Sequence, residues 1–301
     1  MWQGTRALVT GATGFIGAHL VRRLDELGAE VHAVSRRSTD RERWHQADLS
    51  DAAATAELIG RVRPEVVFHL ASEVTGVREP GTVAPTLAAN LGAAVNLLTA
   101  VTGTGVRSVV LAGSVEEPRD GEVPGSPYAA AKAAATGYAR MFHALWQVPV
   151  SVLRVAMVYG PEEPNPRRLV PYVTTSLLRG ESPELTSGTR LVTWVYVEDV
   201  VDAFVRAGAS GDAAGHVLDI GTPEPVSIRH TADLIAGIVG GPGRPVYGAV
   251  AARPLDRTQR SDIEPAARVL GWRPVTSLTA GLTKNCRMAF KARVTVHPRP
   301  R

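Results

Sequence analysis

The sequence predicts a doubly wound, parallel α/β domain followed by a smaller α/β domain, and three observations lead to this fold class. Short runs rich in Val and Leu alternate with segments of helical periodicity through the first half of the chain. A glycine-rich turn joins the first of these runs to the first helical segment. After residues 159–161 the pattern changes, and loops rich in Pro and Gly become frequent. Strands that are apolar on both faces are typical of a parallel sheet covered by helices.

Each element is predicted from its own local pattern. Residues 15–28 predict an amphipathic helix because apolar side chains recur there with helical spacing, and this stripe consists of Ile16, Leu20, Leu24 and Leu27. Strands are predicted at residues 5–10, 30–35, 65–70, 107–112 and 149–155, and further helices at 52–63, 86–102 and 127–146. Beyond residue 160 we expect helices at 169–178 and 228–239, a strand running into a helix at 195–205, and a strand at 216–220.

Composition and charge exclude several classes of protein. Hydrophobic residues make up 45% and charged residues 21% of the chain, as in ordinary globular proteins. No apolar run approaches the roughly 18–20 residues that span a bilayer, and the first residues lack the layout of a signal peptide. Together with a single cysteine, Cys286, this predicts a cytoplasmic protein that does not bind membranes.

The net charge of +4 comes from the end of the chain. Residues 284–301 hold six basic residues and no acid, so the rest of the chain carries a slight negative charge. A nucleic-acid-binding protein would show basic stripes within its folded body. We therefore expect no nucleic-acid partner.

The segment Gly11-Ala-Thr-Gly14-Phe-Ile-Gly17 follows a predicted strand and opens a predicted helix. Glycines at such a turn let the backbone approach a pyrophosphate at the helix N-terminus. This setting predicts a dinucleotide site rather than a glycine-rich turn without a ligand. Its candidate cofactor-binding residues are Gly11, Thr13, Gly14, Phe15, Ile16 and Gly17.

The end of the second strand bears on which dinucleotide is bound. An acid there would bind ribose hydroxyls, as in NAD sites, but this strand ends in Ser35, Arg36 and Arg37. Guanidinium groups pair bidentately with phosphate oxygens, so we predict NADP(H), with NAD(H) as the alternative if the two arginines are merely solvated. Asp48 and Leu49 are candidates for contact with the adenine, although a helix N-cap nearby explains them equally well.

Tyr128 and Lys132 stand four residues apart at the start of a predicted helix, and therefore on one face of it. A free tyrosine has a pKa near ~10 and is a poor acid or base at neutral pH. A nearby ammonium stabilises the phenolate, which suits the tyrosine to proton transfer. The pair alone is a common pattern. It becomes specific because the preceding strand is followed by Ser114.

The chain resembles extended short-chain dehydrogenases/reductases of the nucleotide-sugar epimerase/dehydratase type, which have a Rossmann fold. The matching segments, in order, are TGATGFIG, FHLAS, ANLGAAVNLL around Asn90, YAAAK, RVAMVYGP, VYVEDV, LDIGTPEPVSI and DIEPAARVLGWRPVTSL. They extend over about residues 5–282. The resemblance implies that Ser114, Tyr128 and Lys132 are catalytic. It places Leu70, Ala71 and Asn90 near the cofactor, which Tyr128 and Lys132 would also contact.

The resemblance also implies a nucleoside-diphosphate sugar as substrate, with a homodimer as one possible assembly. Arg253 occupies a position where such enzymes often place an arginine against the diphosphate, and Asp256 and Asp262 would order its segment. A salt-bridged loop arginine is an equally good interpretation. The candidate substrate-binding residues are Ser72, Glu116 and Arg253.

The loop between Ser114 and Tyr128 departs from two branches of the family. Epimerases usually have a longer loop here, and dehydratases usually carry Thr-Asp-Glu where this chain reads Ser114-Val115-Glu116. Val115 cannot donate a proton, so we do not expect dehydration. The short loop resembles that of 4-ketoreductases in deoxysugar pathways. We therefore predict NADPH-dependent reduction of a nucleoside-diphosphate, in particular TDP, 4-keto-6-deoxysugar. The alternatives are an NAD-dependent nucleotide-sugar epimerase and a non-catalytic nucleotide-sensing protein.

These motifs also set the expected domain boundaries. Residues 1–160 form the predicted dinucleotide-binding domain, to which about 197–221 return. Residues 161–285 form most of the predicted substrate domain, and 286–301 a mobile basic tail. No metal site is predicted, because the histidines lack metal-ligand spacing. The sequence has neither a P-loop nor a Gly-x-Ser-x-Gly elbow, which excludes phosphoryl transfer and α/β-hydrolase chemistry.

Overall fold

The computed structural model describes residues 1–38, 40–119 and 121–296. Its strands are β1 (Arg6–Thr10), β2 (Glu30–Ser35), β3 (Trp44–Gln46), β4 (Val66–His69), β5 (Ser108–Ser114), β6 (Val150–Val155), β7 (Met157–Tyr159), β8 (Glu184–Leu185), β9 (Leu191–Val192), β10 (Trp194–Tyr196), β11 (Val217–Ile220), β12 (Val226–Ser227) and β13 (Val246–Tyr247). Its α-helices are α1 (Phe15–Glu26), α2 (Ala52–Val62), α3 (Val83–Leu87), α4 (Ala93–Val101), α5 (Pro127–Trp146), α6 (Leu169–Leu178), α7 (Val197–Ala209), α8 (Ile228–Val239), α9 (Glu264–Leu270) and α10 (Leu278–Val296).

A seven-stranded sheet organises the first half of the chain. Its strand order is β11-β6-β5-β4-β1-β2-β3, and every pairing in it is parallel. Leu8 and Val67 on neighbouring strands pack with Leu97 and Leu98 of α4, and all four are fully buried. Burying each such side chain contributes about 1.5–3 kcal/mol, so this core holds strands and helices together. The predicted fold class, a doubly wound parallel sheet followed by a smaller α/β unit, is confirmed.

Helix α5 begins at a well-defined cap. The Ser126 Oγ accepts a hydrogen bond from the Ala129 backbone N–H at 3.1 Å, and Pro127 occupies the first helical position. Proline fits there because that position needs no backbone donor. The cap fixes where the helix starts, and therefore where Tyr128 and Lys132 stand in its first turns.

The predicted helix at 86–102 is interrupted. The chain forms α3, then a π-helical turn at Ala88–Gly92, then α4. Such turns are frequent at functional sites, and this one carries the buried Asn90. By length and composition Pro80–Val101 could cross a membrane, a test that core helices of globular proteins also pass, and a third of the tested window is buried.

The chain divides into two compact units. The first comprises Met1–Val155, Val200–Ile220 and Asp262–Arg273. The last of these segments was expected in the substrate domain. It joins the first unit because the Asp262 N–H donates to Asp219 on β11, and because Arg206 donates to the carbonyl oxygen of Gly271 just after α9.

The second unit comprises Ala156–Asp199, Gly221–Ser261 and Pro274–Arg301. Strand β7 pairs in parallel with β10, β9 pairs antiparallel with β12, and β8 pairs in parallel with β13. Its core is lined by aromatic and aliphatic side chains of α6, α8, α10 and β10, including Val173, Leu177, Trp194, Ile235 and Leu282.

The segment from residue 286, expected to be a mobile tail, is helical where the structure describes it, to residue 296. Helix α10 continues to Val296, and Cys286 is buried with its Sγ 3.8 Å from the Thr174 hydroxyl. Leu282 and Cys286, about one helical turn apart, are buried in the core of the second unit and hold this part of the helix, a contact that the local charge pattern does not predict. Residues 297–301 lie outside the described residues.

Candidate active site

The glycine-rich turn after β1 lies very close to the loop that follows β4. Gly11 has a φ of +67°, and a Cβ at this position would lie 2.6 Å from the Ala71 backbone nitrogen. A Cβ on Gly17 would collide with the Gly11 carbonyl oxygen. Both positions therefore require glycine.

Helix α1 follows this turn, and its N-cap residue has no side chain that could bond the amides of the first helical turn. Gly14 is its N-cap and supplies no side-chain bond, and the first turn holds no acid. Thr13 and Gly14 are exposed, while Phe15 and Ile16 are half-buried. Free amides and the positive end of a helix dipole suit an anionic group, so the turn fits a dinucleotide pyrophosphate.

A hydrogen-bonded chain fixes the loop after β4. The Thr10 hydroxyl lies 2.9 Å from the His69 Nδ1 and accepts from the Ala71 N–H at 3.1 Å. Burial lowers the pKa of His69 to about 3, and Lys132 adds to this effect. His69 is therefore neutral, and it orients Leu70 and Ala71, both half-buried, beside the glycine turn.

Asn90 fixes the next residues of the same loop, Ser72 and Glu73, by hydrogen bonds. Its Oδ1 accepts from the Ser72 hydroxyl at 3.0 Å and the Glu73 N–H at 2.7 Å, and its Nδ2 donates to the Glu73 carbonyl oxygen at 3.0 Å. The structure thus brings Asn90 together with Ser72, and the π-helical turn is what directs the amide into the loop.

The residues after β2 form an exposed basic turn. Ser35 is buried, and its Oγ accepts from the Arg37 N–H at 3.0 Å. The Arg36 side chain is 75% exposed and lies 4.0 Å from the Glu73 carboxylate, and Arg37 is also exposed. Both side chains are therefore accessible to a phosphate and to water alike.

Asp48 and Leu49 lie before α2. The Asp48 Oδ1 accepts from the Ser50 N–H and hydroxyl, and these bonds lower the pKa of its carboxyl. The N-cap of α2 is Asp51. Leu49 buries its side chain in the core of the first unit, so contact with a cofactor would involve its backbone.

Ser114 ends β5, and Tyr128 and Lys132 lie in the first turns of α5, which packs against that strand. The Lys132 Nζ donates to the Ala112 carbonyl oxygen at 2.7 Å and lies 5.8 Å from the centre of the Tyr128 ring. Burial lowers the pKa of Lys132 to about 8, against the opposing effect of the Glu117 carboxylate. The Ser114 Oγ accepts from the Glu116 N–H at 3.1 Å, which orients the hydroxyl.

Sequence reasoning missed Glu117. It is 5% exposed, and its carboxylate accepts from the Ser114 N–H at 2.7 Å and the Thr136 hydroxyl at 2.8 Å. Its neighbour Glu116 is exposed. One signal existed in the sequence: Thr136 continues the four-residue spacing of Tyr128 and Lys132.

Arg253 lies in an exposed loop of the second unit, and its carbonyl oxygen accepts from the Asp256 N–H at 3.3 Å. The Asp256 carboxylate lies 3.3 Å from a guanidinium nitrogen of Arg190, so its side chain orders the segment through Arg190. Asp262 belongs to the first unit. Among the described residues no group of three or more His, Cys, Asp and Glu side chains is arranged to hold a metal ion.

Comparison with known proteins agrees with this geometry. A model of the NAD dependent epimerase/dehydratase family matches residues 7–221. The chain is 35% identical to the UDP-glucose 4-epimerase of Mycolicibacterium smegmatis, over 93% of this chain and 96% of that protein.

Two solved structures are also similar. One is MoeE5 in complex with UDP-glucose and NAD, with 34% identity, a TM-score of 0.83, and coverage of 96% of this chain and 99% of that one. The other is the UDP-glucose 4-epimerase of Thermotoga maritima with UDP-glucose, with 28% identity, a TM-score of 0.86, and coverage of 96% and 100%. The chain therefore belongs to the NAD-dependent epimerase/dehydratase family of nucleotide-sugar enzymes.

Proposed function

We propose that this protein is an NAD-dependent epimerase that inverts C4 of a nucleoside-diphosphate hexose, with UDP-glucose as the first substrate to test. The observation that carries the proposal is the Lys132 Nζ, 5.8 Å from the centre of the Tyr128 ring and bonded to the strand that ends in Ser114, in a chain 35% identical to a UDP-glucose 4-epimerase. The relatives whose structures hold UDP-glucose support the same class of substrate.

Tyr128 is the proposed acid and base. As a phenolate it takes the proton from the C4 hydroxyl, and it returns a proton to the same oxygen after the sugar has rotated. Lys132 stabilises the phenolate through its positive charge. The Ser114 hydroxyl donates a hydrogen bond to the C4 oxygen, because its own oxygen already accepts from the Glu116 N–H.

The glycine turn and the loop after β4 would hold the cofactor. The first amides of α1 would bind the pyrophosphate, and the close approach of Gly11 to Ala71 keeps side chains out of the turn. NAD bound there would supply reversible hydride transfer at C4 of the sugar. The residues of the chain position the sugar and move the proton.

The second candidate is the NADPH-dependent 4-ketoreductase. The observation in its favour is the exposed turn of Arg36 and Arg37 at the end of β2, where an NAD site would usually have an acid. A reductase would use Tyr128 as acid only. It would consume one reduced cofactor in each turnover, whereas an epimerase recovers its cofactor in each cycle.

One experiment separates the two. The protein as purified is analysed for bound nucleotide, and then given UDP-glucose or its C4 epimer without added cofactor. The epimerase proposal expects bound NAD and interconversion of the two sugars. It fails if the protein instead oxidises NADPH stoichiometrically with a 4-keto-6-deoxysugar nucleotide and does not interconvert the pair. NADP(H) binding without turnover of either substrate would favour a non-catalytic role.

A further inference from the structure

Glu117 is a buried carboxylate beside the proposed catalytic residues, and the mechanism above does not use it. Its two oxygens accept from different elements, one from the Ser114 N–H and the other from the Thr136 hydroxyl of α5. The Glu117 N–H also donates to the Ser114 carbonyl oxygen at 3.1 Å. Both backbone polar groups of Ser114 are therefore bonded to this one residue.

The backbone leaves room for this carboxylate. A Cβ at Gly113 would lie 2.7 Å from the Glu117 Oε1 and equally close to a methyl group of Val152. Real Cβ atoms are essentially never found so close to their neighbours, so any larger residue would displace the carboxylate or shift the strand. The position of Glu117 thus depends on the absence of a side chain at residue 113.

Arg154 and Lys132 are two cations that act on the Glu117 carboxylate, and Arg154 has the larger effect. Lys132 faces it from α5 and Arg154 from β6, and both favour its ionised form although burial raises the pKa of its carboxyl. The Arg154 guanidinium is already bonded to the Asp219 carboxylate at 2.7 Å. His69, which faces Lys132 from β4, is neutral. Glu117 is the negative charge that acts on the buried Lys132, and a buried charge without a partner is costly.

We propose that Glu117 is a positioning residue with two effects: it fixes Ser114 against α5, and it keeps the Lys132 side chain protonated. The first effect comes from its hydrogen bonds, which link the end of β5 to the face of α5 that carries Tyr128. The second comes from its negative charge, which stabilises the ammonium that in turn stabilises the Tyr128 phenolate. The inference rests on the proposed function because it takes the roles of these three residues from it.

The charge effect is measured on the protein without substrate. The chain has three lysines, Lys132, Lys284 and Lys291, so lysine-selective isotope labelling gives few NMR signals, and loss of one in K132M assigns Lys132. In E117Q the Lys132 signal should titrate at lower pH than in the wild type. The matched control is E57Q, which makes the same change at a side chain that is 74% exposed on α2. A folded E117Q whose Lys132 titrates as in the wild type overturns the charge effect, whichever sugar the enzyme acts on.

The effect on catalysis is measured as kcat against pH. E117Q should lower kcat on the order of tenfold, and its alkaline decline should begin at lower pH. A merely structural role would lower kcat by the same factor at every pH, which would contradict the proposal.

The isosteric T136V keeps the charge and removes one bond to the carboxylate. It should lower kcat several-fold without moving the alkaline decline or KM. T136V introduces no new polar group into the buried site, so we expect it to fold. It therefore tests the positioning effect even if E117Q does not fold. A wild-type kcat in T136V would overturn the positioning effect.

Discussion

Replacing Lys132 by Met should lower kcat about a hundredfold without unfolding the protein. The ammonium lies 5.8 Å from the centre of the Tyr128 ring. At that separation, and with an effective dielectric constant of about 20, one unit charge stabilises a phenolate by about 3 kcal/mol. Every ~1.36 kcal/mol of lost transition-state stabilisation is about tenfold in rate, so the expected loss is on the order of 10². Met has a similar length and no charge, and it fills the same buried space.

The assay is the rate of interconversion of UDP-glucose and its C4 epimer between about pH 6 and 10, with thermal melting as the check on folding. Because the pKa of Lys132 is about 8, the wild-type kcat should decline above that pH as the ammonium is lost, and K132M should lack this decline. The matched control is K284M, at a surface lysine 3.9 Å from Glu198, and it should behave as the wild type. A K132M protein with the wild-type kcat, or one that keeps the alkaline decline, would refute the role of the charge.

The remaining predictions concern the acid, the two ligands and a buried ion cluster. Y128F should lower kcat by at least ~10² and bind the cofactor as before in a titration; near-normal turnover would exclude Tyr128 as the acid. The double substitution R36A and R37A should lower NADPH affinity on the order of tenfold or more and affect NAD much less; equal losses would mean that the arginines are only solvated. R253A should weaken binding of the sugar nucleotide by about 1.5–3 kcal/mol in calorimetry, with cofactor affinity unchanged; a defect in cofactor binding alone would show that the residue is misplaced. D219N should lower the melting temperature, because a buried carboxylate that holds two arginines is typically worth about 3–5 kcal/mol when its charge is removed; an unchanged melting temperature would contradict this.

The fold was predictable because its main elements carry their own periodicity. The predicted bounds of β2, α6 and α8 coincide with the observed ones, since each has a clear apolar pattern between turn residues. Strand β3, with the sequence Trp-His-Gln, was missed because a short strand at a sheet edge needs no apolar pattern. The return of Asp262–Arg273 to the first unit was missed because it depends on distant hydrogen bonds, which no local pattern encodes.

The sequence predicts those candidate site residues whose location follows from their position on a single strand or helix. Ser114 ends β5, and the spacing of Tyr128 and Lys132 puts both on one face of α5, where the Lys132 Nζ lies 5.8 Å from the centre of the Tyr128 ring. Glu117 was not predictable in this way. It lies beside Glu116 in a charged loop, and the sequence does not say which of the two turns inward. That choice depends on the space above Gly113 and on the Thr136 hydroxyl, one helical turn beyond Lys132.

The short loop between Ser114 and α5 is ordered by charge. Its Arg119 donates to the Asp219 Oδ2 at 3.0 Å, while Arg154 of β6 donates to Oδ1 at 2.7 Å. The Asp262 N–H donates to the same carboxylate at 2.9 Å, so one side chain, 1% exposed, joins the loop to β6, β11 and the segment before α9. A loop fastened in this way loses little further entropy when a ligand binds, because its ordering occurs on folding. The short loop therefore does not by itself separate a reductase from an epimerase, since the same anchored Ser114 and Glu116 would face the sugar in either proposed reaction.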